Sequence, residues 1–157
     1  MNSEPASSFR SLAYAYCMVS GWVAKLESLL LLGFRLYVAK VFLMSGLTKI
    51  HDWSSTVALF SDEYHLPLLS PPLAAALGTA TELSMPILLV VGLASRFAAG
   101  VLFIFNIVAV LSYYQTLVET GGVRDHVLWG TMLAVLTICG PGRIALDTWL
   151  ERRYAPR

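Results

Sequence analysis

Three basic side chains, Arg35, Lys40 and Lys49, lie within one apolar run of this sequence, and Glu82 lies within the next. A lone charge near the middle of a bilayer costs about 2.5–3.5 kcal/mol even on the most lenient insertion scale. Such a charge is tolerated when it faces other helices and is paired. A pair of this kind can simply fix which helix faces meet, or it can form a polar site that binds a ligand head group or relays protons.

The helical period of about 100° per residue indicates which residues share a face with these charges. Each of four apolar runs has one stripe of small and polar residues, and these stripes contain Arg35 and Lys49, then Glu82, Asn106 and His126 in turn. Helices in lipid meet through small residues and interhelical hydrogen bonds. The four stripes are therefore predicted to face the interior of one bundle.

A polar site inside the membrane is predicted from these stripes. Arg35 is expected somewhat deeper than Glu82 on the neighbouring helix, and its long side chain can cover about one helical turn. We therefore predict an Arg35–Glu82 pair with Asn106 nearby. Lys40 matches the depth of Glu82 but points away from the stripe. It joins the site if the first helix is rotated from this estimate, and otherwise it meets a second subunit.

A second group of polar residues, Lys49, His51, Tyr113 and His126, is expected at the outer ends of the same helices. Lys49 can reach the headgroup region there by extending its long side chain. Histidine and carboxylate side chains in this region could ligate a metal. Their spacing matches no closed site, so no metal is predicted.

Composition places the chain in a membrane. Of its 157 residues 57% are hydrophobic and 13% are charged, against about 25% charged in a soluble domain. The net charge of +1 argues against a nucleic-acid partner. Four segments approach the roughly 20 residues that cross a bilayer. They are residues 29–50, 73–94, 97–118 and about 126–140.

The predicted fold is all-α: a bundle of four transmembrane helices, with interfacial helices at the N-terminus, at the C-terminus and in the first outer loop, residues 51–72. Lys and Arg beside the helix ends number seven on one side and two on the other. By the positive-inside rule both termini are cytoplasmic. The expected divisions are an N-terminal segment 1–28, a membrane domain 29–148 and a tail 149–157.

Several motifs follow one another in an order that resembles the DoxX family of small bacterial membrane proteins. They are an early arginine, Arg35; the group Ser45, Gly46 and Lys49; a glutamate midway along the second helix, Glu82; the turn with Gly92, Leu93 and Arg96; and the closing Gly140, Gly142, Arg143 and Asp147. The resemblance covers residues 29–148, and it implies a four-helix protein of the bacterial inner membrane.

The resemblance also implies a function. The family includes a subunit of an archaeal thiosulfate:quinone oxidoreductase and members associated with oxidative or metal stress. It therefore implies a quinone-linked or membrane-anchoring subunit of a redox complex, with quinone as the only cofactor. The alternatives are an accessory or scaffold protein that assists a partner in stress response or export, and a small oligomeric transporter. The expected partners are the bilayer and either further copies of the chain or a membrane or periplasmic protein. No residue is assigned a catalytic role.

Overall fold

The computed structural model describes residues 4–64 and 69–154, and within these ranges the chain contains helices and no β-strand. The predicted all-α class is therefore confirmed. The helices are α1 Glu4–His51, α2 Trp53–Asp62, α3 Pro71–Val91, α4 Ser95–Ser112, α5 Tyr114–Thr120, α6 Val123–Cys139 and α7 Leu146–Tyr154.

Four of these helices, α1, α3, α4 and α6, form the bundle. α1 packs on α3 and α6, and α4 packs on the same two helices. The core between them contains Val38, Leu89, Leu102 and Leu133, each fully buried. Arg35, Glu82 and Asn106 are buried with them, so the predicted polar stripes do face the interior.

Within residues 4–64 and 69–154, three helices are long and apolar enough to cross a membrane, over Tyr16–His51, Pro71–Val91 and Ser95–Ser112. α6 has 17 residues and is shorter than these three, so a fourth crossing stays a prediction. The predicted third span, 97–118, is not one helix. It breaks at Tyr113, whose φ of −126° and ψ of 22° leave the helical region, and α5 follows as a separate short helix.

α1 is longer than any crossing requires. Its 48 residues extend about 72 Å at 1.5 Å per residue, so the helix continues through the predicted boundary at residue 28 without a break. Every side chain described between residues 10 and 27 is exposed. We call residues 10–27 the N-terminal arm, because they extend beyond the packed part of the helix. Residues 155–157 of the predicted tail lie outside the described part of the chain.

The long outer loop contains the predicted short helix, α2. Asp52 caps its first turn by accepting a hydrogen bond from the Ser55 amide at 3.0 Å. Hydrogen bonds from Ser55 and Ser54 lower the pKa of Asp52 to about 2. Phe60 of α2 packs on the start of α3, so this helix covers one end of the bundle. Whether it also lies on a membrane surface stays a prediction.

Candidate functional site

Glu82 is paired with Lys49; Glu82 is buried and Lys49 is partly buried. The Lys49 ammonium donates to both carboxylate oxygens, to Oε1 at 2.6 Å and to Oε2 at 2.5 Å. Ser45 completes the group, since its hydroxyl donates to Glu82 Oε1 at 3.1 Å and accepts from Lys49 at 3.0 Å. The side chains of Lys49 and Glu82 are only 12% and 5% exposed. The result is a compact ion pair within the bundle, between α1 and α3.

The predicted Arg35–Glu82 pair was wrong. Arg35 lies fourteen residues before Lys49 on α1, about 21 Å away along the helix. Its guanidinium instead donates to backbone carbonyls at the far end of the bundle, those of Leu89 at 2.8 Å, Val90 at 3.1 Å, Pro141 at 3.3 Å and Ile144 at 2.6 Å. We call this the Arg35 end and the opposite one the Lys49 end.

Arg35 therefore satisfies two of the carbonyls that α3 leaves unpaired at its C-terminus, those of Leu89 and Val90. Two further charged residues cap helix ends here, one at a C-terminus and one at an N-terminus. Arg96 donates to the last carbonyls of α6, with Ile138 the nearest at 2.5 Å. Asp147 accepts from the amides of Ala94 and Ser95 at the start of α4, at 2.7 and 2.8 Å. The Arg35 end is thus joined by capping hydrogen bonds between distant segments, which is a structural role.

A cavity of about 430 Å³ lies beside the Lys49–Glu82 pair. Aromatic rings form much of its wall: those of Phe42, Phe60, Phe105, Trp129 and Tyr64. Trp129 also has a buried indole N–H without a hydrogen-bond partner among the described residues. Such a donor is costly to leave unpaired, so it marks a place where a bound oxygen atom would be favoured.

His126 and Asn106 form a second polar pair, and the ring of His126 lines the cavity. Asn106 Nδ2 donates to the backbone carbonyl of His126 at 3.0 Å, and Asn106 Oδ1 lies 2.8 Å from His126 Nδ1. Asn106 is only 4% exposed. The histidine ring is tilted against Trp129, with 4.8 Å between the ring centroids.

The Lys49 end of the cavity is covered by stacked aromatic rings. Tyr64 stacks on Phe60 with centroids 4.6 Å apart and on Tyr113 with centroids 5.0 Å apart. Burial, together with the negative charge of Glu82, raises the pKa of Tyr64 to about 12. Burial also raises the pKa of Tyr113, and a hydrogen bond to Glu63 adds to this effect. Both phenols are therefore protonated near neutral pH.

The structure groups the predicted site residues differently from the two clusters that the sequence predicted. Lys49, Glu82 and His126 line one cavity, with Asn106 bonded to His126 and Tyr113 stacked over the end. Arg35 is at the opposite end. Lys40 and His51 are exposed and lie outside the cavity, so Lys40 is not part of the interior site.

The aromatic wall was not predicted from the sequence. One signal was available for Trp129, which follows His126 by three residues and so shares its helix face. The described part of the chain brings no three His, Cys, Asp or Glu side chains into a cluster suited to a metal ion. The chemistry that the site offers is thus an ion pair, an imidazole and an indole N–H around an aromatic cavity.

Comparison with family models agrees with the family resemblance of the sequence. The DoxX family model matches residues 30–115, which is more than half of the chain. The chain belongs to the DoxX family. With its long apolar helices it is a membrane protein of that family. Neither the curated proteins nor the solved structures contain a match to it.

The DoxX match includes some groups of the site and leaves others out. Lys49, Glu82 and Asn106 fall within residues 30–115. His126 and Trp129 follow the match on α6, yet they complete the same cavity. In this DoxX protein the candidate site is therefore built from the matched segment and from the helix after it.

Proposed function

We propose that this DoxX-family protein binds the ring of a lipid-soluble quinone in the cavity beside Lys49 and Glu82, as a membrane subunit of a redox complex. The supporting observation is an aromatic cavity that combines a largely buried ion pair with the N–H of Trp129, which has no hydrogen-bond partner in the described part of the chain. Lys49 and Glu82 lie on α1 and α3, two helices apolar enough to be embedded in lipid, where such a molecule is dissolved.

The residues fit this ligand class in size and chemistry. A cavity of about 430 Å³ falls within the range of about 300–1,000 Å³ that small-molecule sites occupy. A flat ring can stack against the aromatic wall, and aromatic contacts of this kind contribute about 0.5–1.5 kcal/mol beyond burial. A ring carbonyl can accept the hydrogen bond that Trp129 does not otherwise donate.

The ion pair supplies the polar part of the site. A bound quinone would contribute the capacity to carry two electrons and two protons. The chain's own residues orient the ring and hold a proton at Lys49 Nζ, which donates to the Glu82 carboxylate. Pro86 adds a local feature, since it has no N–H to donate to the carbonyl of Glu82 one turn earlier. Electrons would pass to or from a partner protein of the complex.

Binding can be tested directly on detergent-purified protein. Solvent extraction followed by mass spectrometry should find a quinone carried through purification. Titration with a short-chain quinone should quench tryptophan fluorescence, and Lys49→Met should weaken binding about tenfold or more, since hydrogen bonds to charged groups contribute about 1.5–3 kcal/mol.

Lys40→Met is the matched control for that titration, because it removes the same charge from an exposed position on the same helix. It should leave the affinity unchanged. The proposal fails if quinone neither co-purifies nor binds, or if both lysine variants bind as the unmodified protein does.

The N-terminal arm favours a second candidate, an accessory protein that holds a partner polypeptide or another copy of the chain. Tyr14, Tyr16 and Trp22 of this arm are 70%, 75% and 65% exposed. Cys17 lies among them and is free and exposed. In a Cys139→Ser background, cross-linking through Cys17 in intact membranes should give a discrete product if the arm is an interface. Only uncross-linked chain would argue against this candidate.

We infer that the Arg35 end faces the cytoplasm of the bacterial inner membrane. The supporting observation is that Arg96, Arg143, Arg152 and Arg153 follow or flank helix ends there, whereas Lys49 and Arg124 lie toward the other end. Cys139, exposed at the end of α6, gives the test. In a Cys17→Ser variant a membrane-impermeant maleimide should label it only after the cells are opened. Labelling of intact cells would reverse this orientation.

A further inference from the structure

The hydrogen bonds of Asn106 determine which nitrogen of His126 carries a proton. The Asn106 amide nitrogen donates to the backbone carbonyl of His126 at 3.0 Å, so its oxygen faces His126 Nδ1 at 2.8 Å. If the amide were flipped, Asn106 Oδ1 would face the carbonyl oxygen of His126, and neither oxygen could donate. An amide oxygen only accepts, so Nδ1 must be the donor. Because Asn106 is 4% exposed, solvent does not offer it a ready alternative partner.

This geometry leaves Nε2 of the neutral ring as a hydrogen-bond acceptor. The imidazole has one donor and one acceptor nitrogen in its neutral form. The described residues provide no hydrogen bond to Nε2. His126 lines the cavity and also lines a second groove between α4 and α6. The cavity therefore has a free acceptor on His126 and a free donor on Trp129, in rings 4.8 Å apart.

We propose that His126 Nε2 accepts a hydrogen bond from a hydroxyl group of the bound molecule, so that the site prefers a ring bearing O–H, a quinol or other phenol, over one without it. This inference rests on the proposed function and names the form of ligand that the cavity selects. A quinone has acceptors only and would leave Nε2 unpaired. A phenolic hydroxyl satisfies Nε2, and its oxygen can accept from Trp129.

An analogue that lacks the hydroxyl loses the hydrogen bond to Nε2. His126 is partly buried, so this loss is that of an ordinary hydrogen bond, about 0.5–1.5 kcal/mol, and about 1.4 kcal/mol corresponds to tenfold in affinity. We therefore expect a preference of about three- to tenfold for the phenol.

The test compares an alkyl-substituted methoxyphenol with its methyl ether, by equilibrium dialysis against the full-length protein in mild detergent. The ether has nearly the same shape and no O–H. The unmodified protein should bind the phenol about three- to tenfold more tightly. His126→Phe should reduce this preference to within about twofold and retain the affinity for the ether. His51→Phe changes an exposed histidine and should keep the full preference.

A measurement on the unmodified protein covers the case in which His126→Phe fails to fold. The chain has three histidines, and ¹⁵N NMR of ring-labelled protein reports the tautomer of each. The His126 signal, assigned as the one that shifts in Asn106→Leu spectra, should be that of the Nδ1–H form. A signal from the Nε2–H form overturns the proposal.

The outcomes separate this inference from the proposed function. Equal affinity for phenol and ether, with quinone still bound, overturns the hydroxyl preference and leaves quinone binding in place. Retention of the preference in His126→Phe also overturns it. If neither probe nor quinone binds, both proposals fail.

Discussion

Replacing Lys49 with methionine tests whether the ion pair stabilises the bundle. The substitution removes the donor at 2.5 and 2.6 Å from the Glu82 oxygens and leaves only the Ser45 hydroxyl. Breaking a buried pair by removing one partner typically costs about 3–5 kcal/mol, because the other charge stays buried. Glu82 is 5% exposed and has little access to water.

The loss of stability in Lys49→Met depends on pH, because Glu82 can take up a proton once its partner is removed. Moving a proton onto a carboxylate with an ordinary pKa of about 4.3 costs about 3.7 kcal/mol at pH 7, at 1.36 kcal/mol per unit. At pH 5 the same step costs only about 1 kcal/mol. We therefore expect Lys49→Met to be destabilised by about 3–4 kcal/mol at pH 7 and by much less at pH 5.

Thermal unfolding in detergent, followed by circular dichroism at both pH values, measures this difference. At about 2–4 °C per kcal/mol, the midpoint should fall by roughly 6–16 °C at pH 7. The double variant Lys49→Met/Glu82→Gln, which removes the charge from both sides, should recover most of the loss. Lys40→Met is exposed and should stay within about 0.5 kcal/mol.

Two results would refute this reasoning. One is a Lys49→Met protein as stable as the unmodified protein at pH 7, which would mean that Glu82 finds another partner or solvent. The other is a loss of the same size at pH 5 and pH 7, which would mean that packing of the lysine stem, and not the unpaired carboxylate, accounts for the effect.

Three further predictions concern the ends of the bundle. Gly92→Ala should destabilise the protein by about 2 kcal/mol or more, since φ is +78° and the new Cβ would lie 2.5 Å from Arg35 Nη2. Gly33→Ala is the control in the same unfolding assay. It has open space around the new Cβ and should stabilise the protein by about 0.5–1 kcal/mol. Asp147→Ala should cost about 0.5–2 kcal/mol, as loss of an N-cap does, and no change in midpoint would contradict the capping role. In an ultraviolet pH titration of the seven tyrosines, one phenol should ionise near pH 12, and this step should be missing from the titration of Tyr64→Phe. Because the folded state favours the protonated phenol, the free energy of unfolding should fall as pH rises from about 10 to 12. Ordinary titration of all seven tyrosines would refute this prediction.

The sequence was sufficient to identify which faces are buried. The helical period places Arg35, Glu82 and Asn106 on interior stripes and Lys40 outside, and their burial agrees. This works because burial around a helix axis depends only on the 3.6-residue repeat and on the composition of each face. The family was also readable, since the motifs from Arg35 to Arg96 follow one another in order and lie within the matched residues 30–115.

The partner of Glu82 depended on the axial register of α1 against α3, which a helical wheel does not contain. Depth estimated by counting residues inward from the helix ends led to the wrong partner for Glu82. Lys49 is two residues from the end of α1, whereas Glu82 is eleven residues from the start of α3. α3 thus extends past α1 by about 13 Å, and α2 packs over that extension.

The sequence by itself therefore determined an all-α membrane protein with a polar interior, since composition and periodicity are local properties of each segment. Tertiary structure alone decided that Lys49 neutralises Glu82, that Arg35 caps α3, and that rings from α1, α2, α4 and α6 enclose one cavity. Gly46 illustrates the reason: an added Cβ there would lie 3.0 Å from Leu83, so the close approach of two distant segments sets the register. Contacts between segments far apart in the chain are properties of the packed bundle and of no single helix.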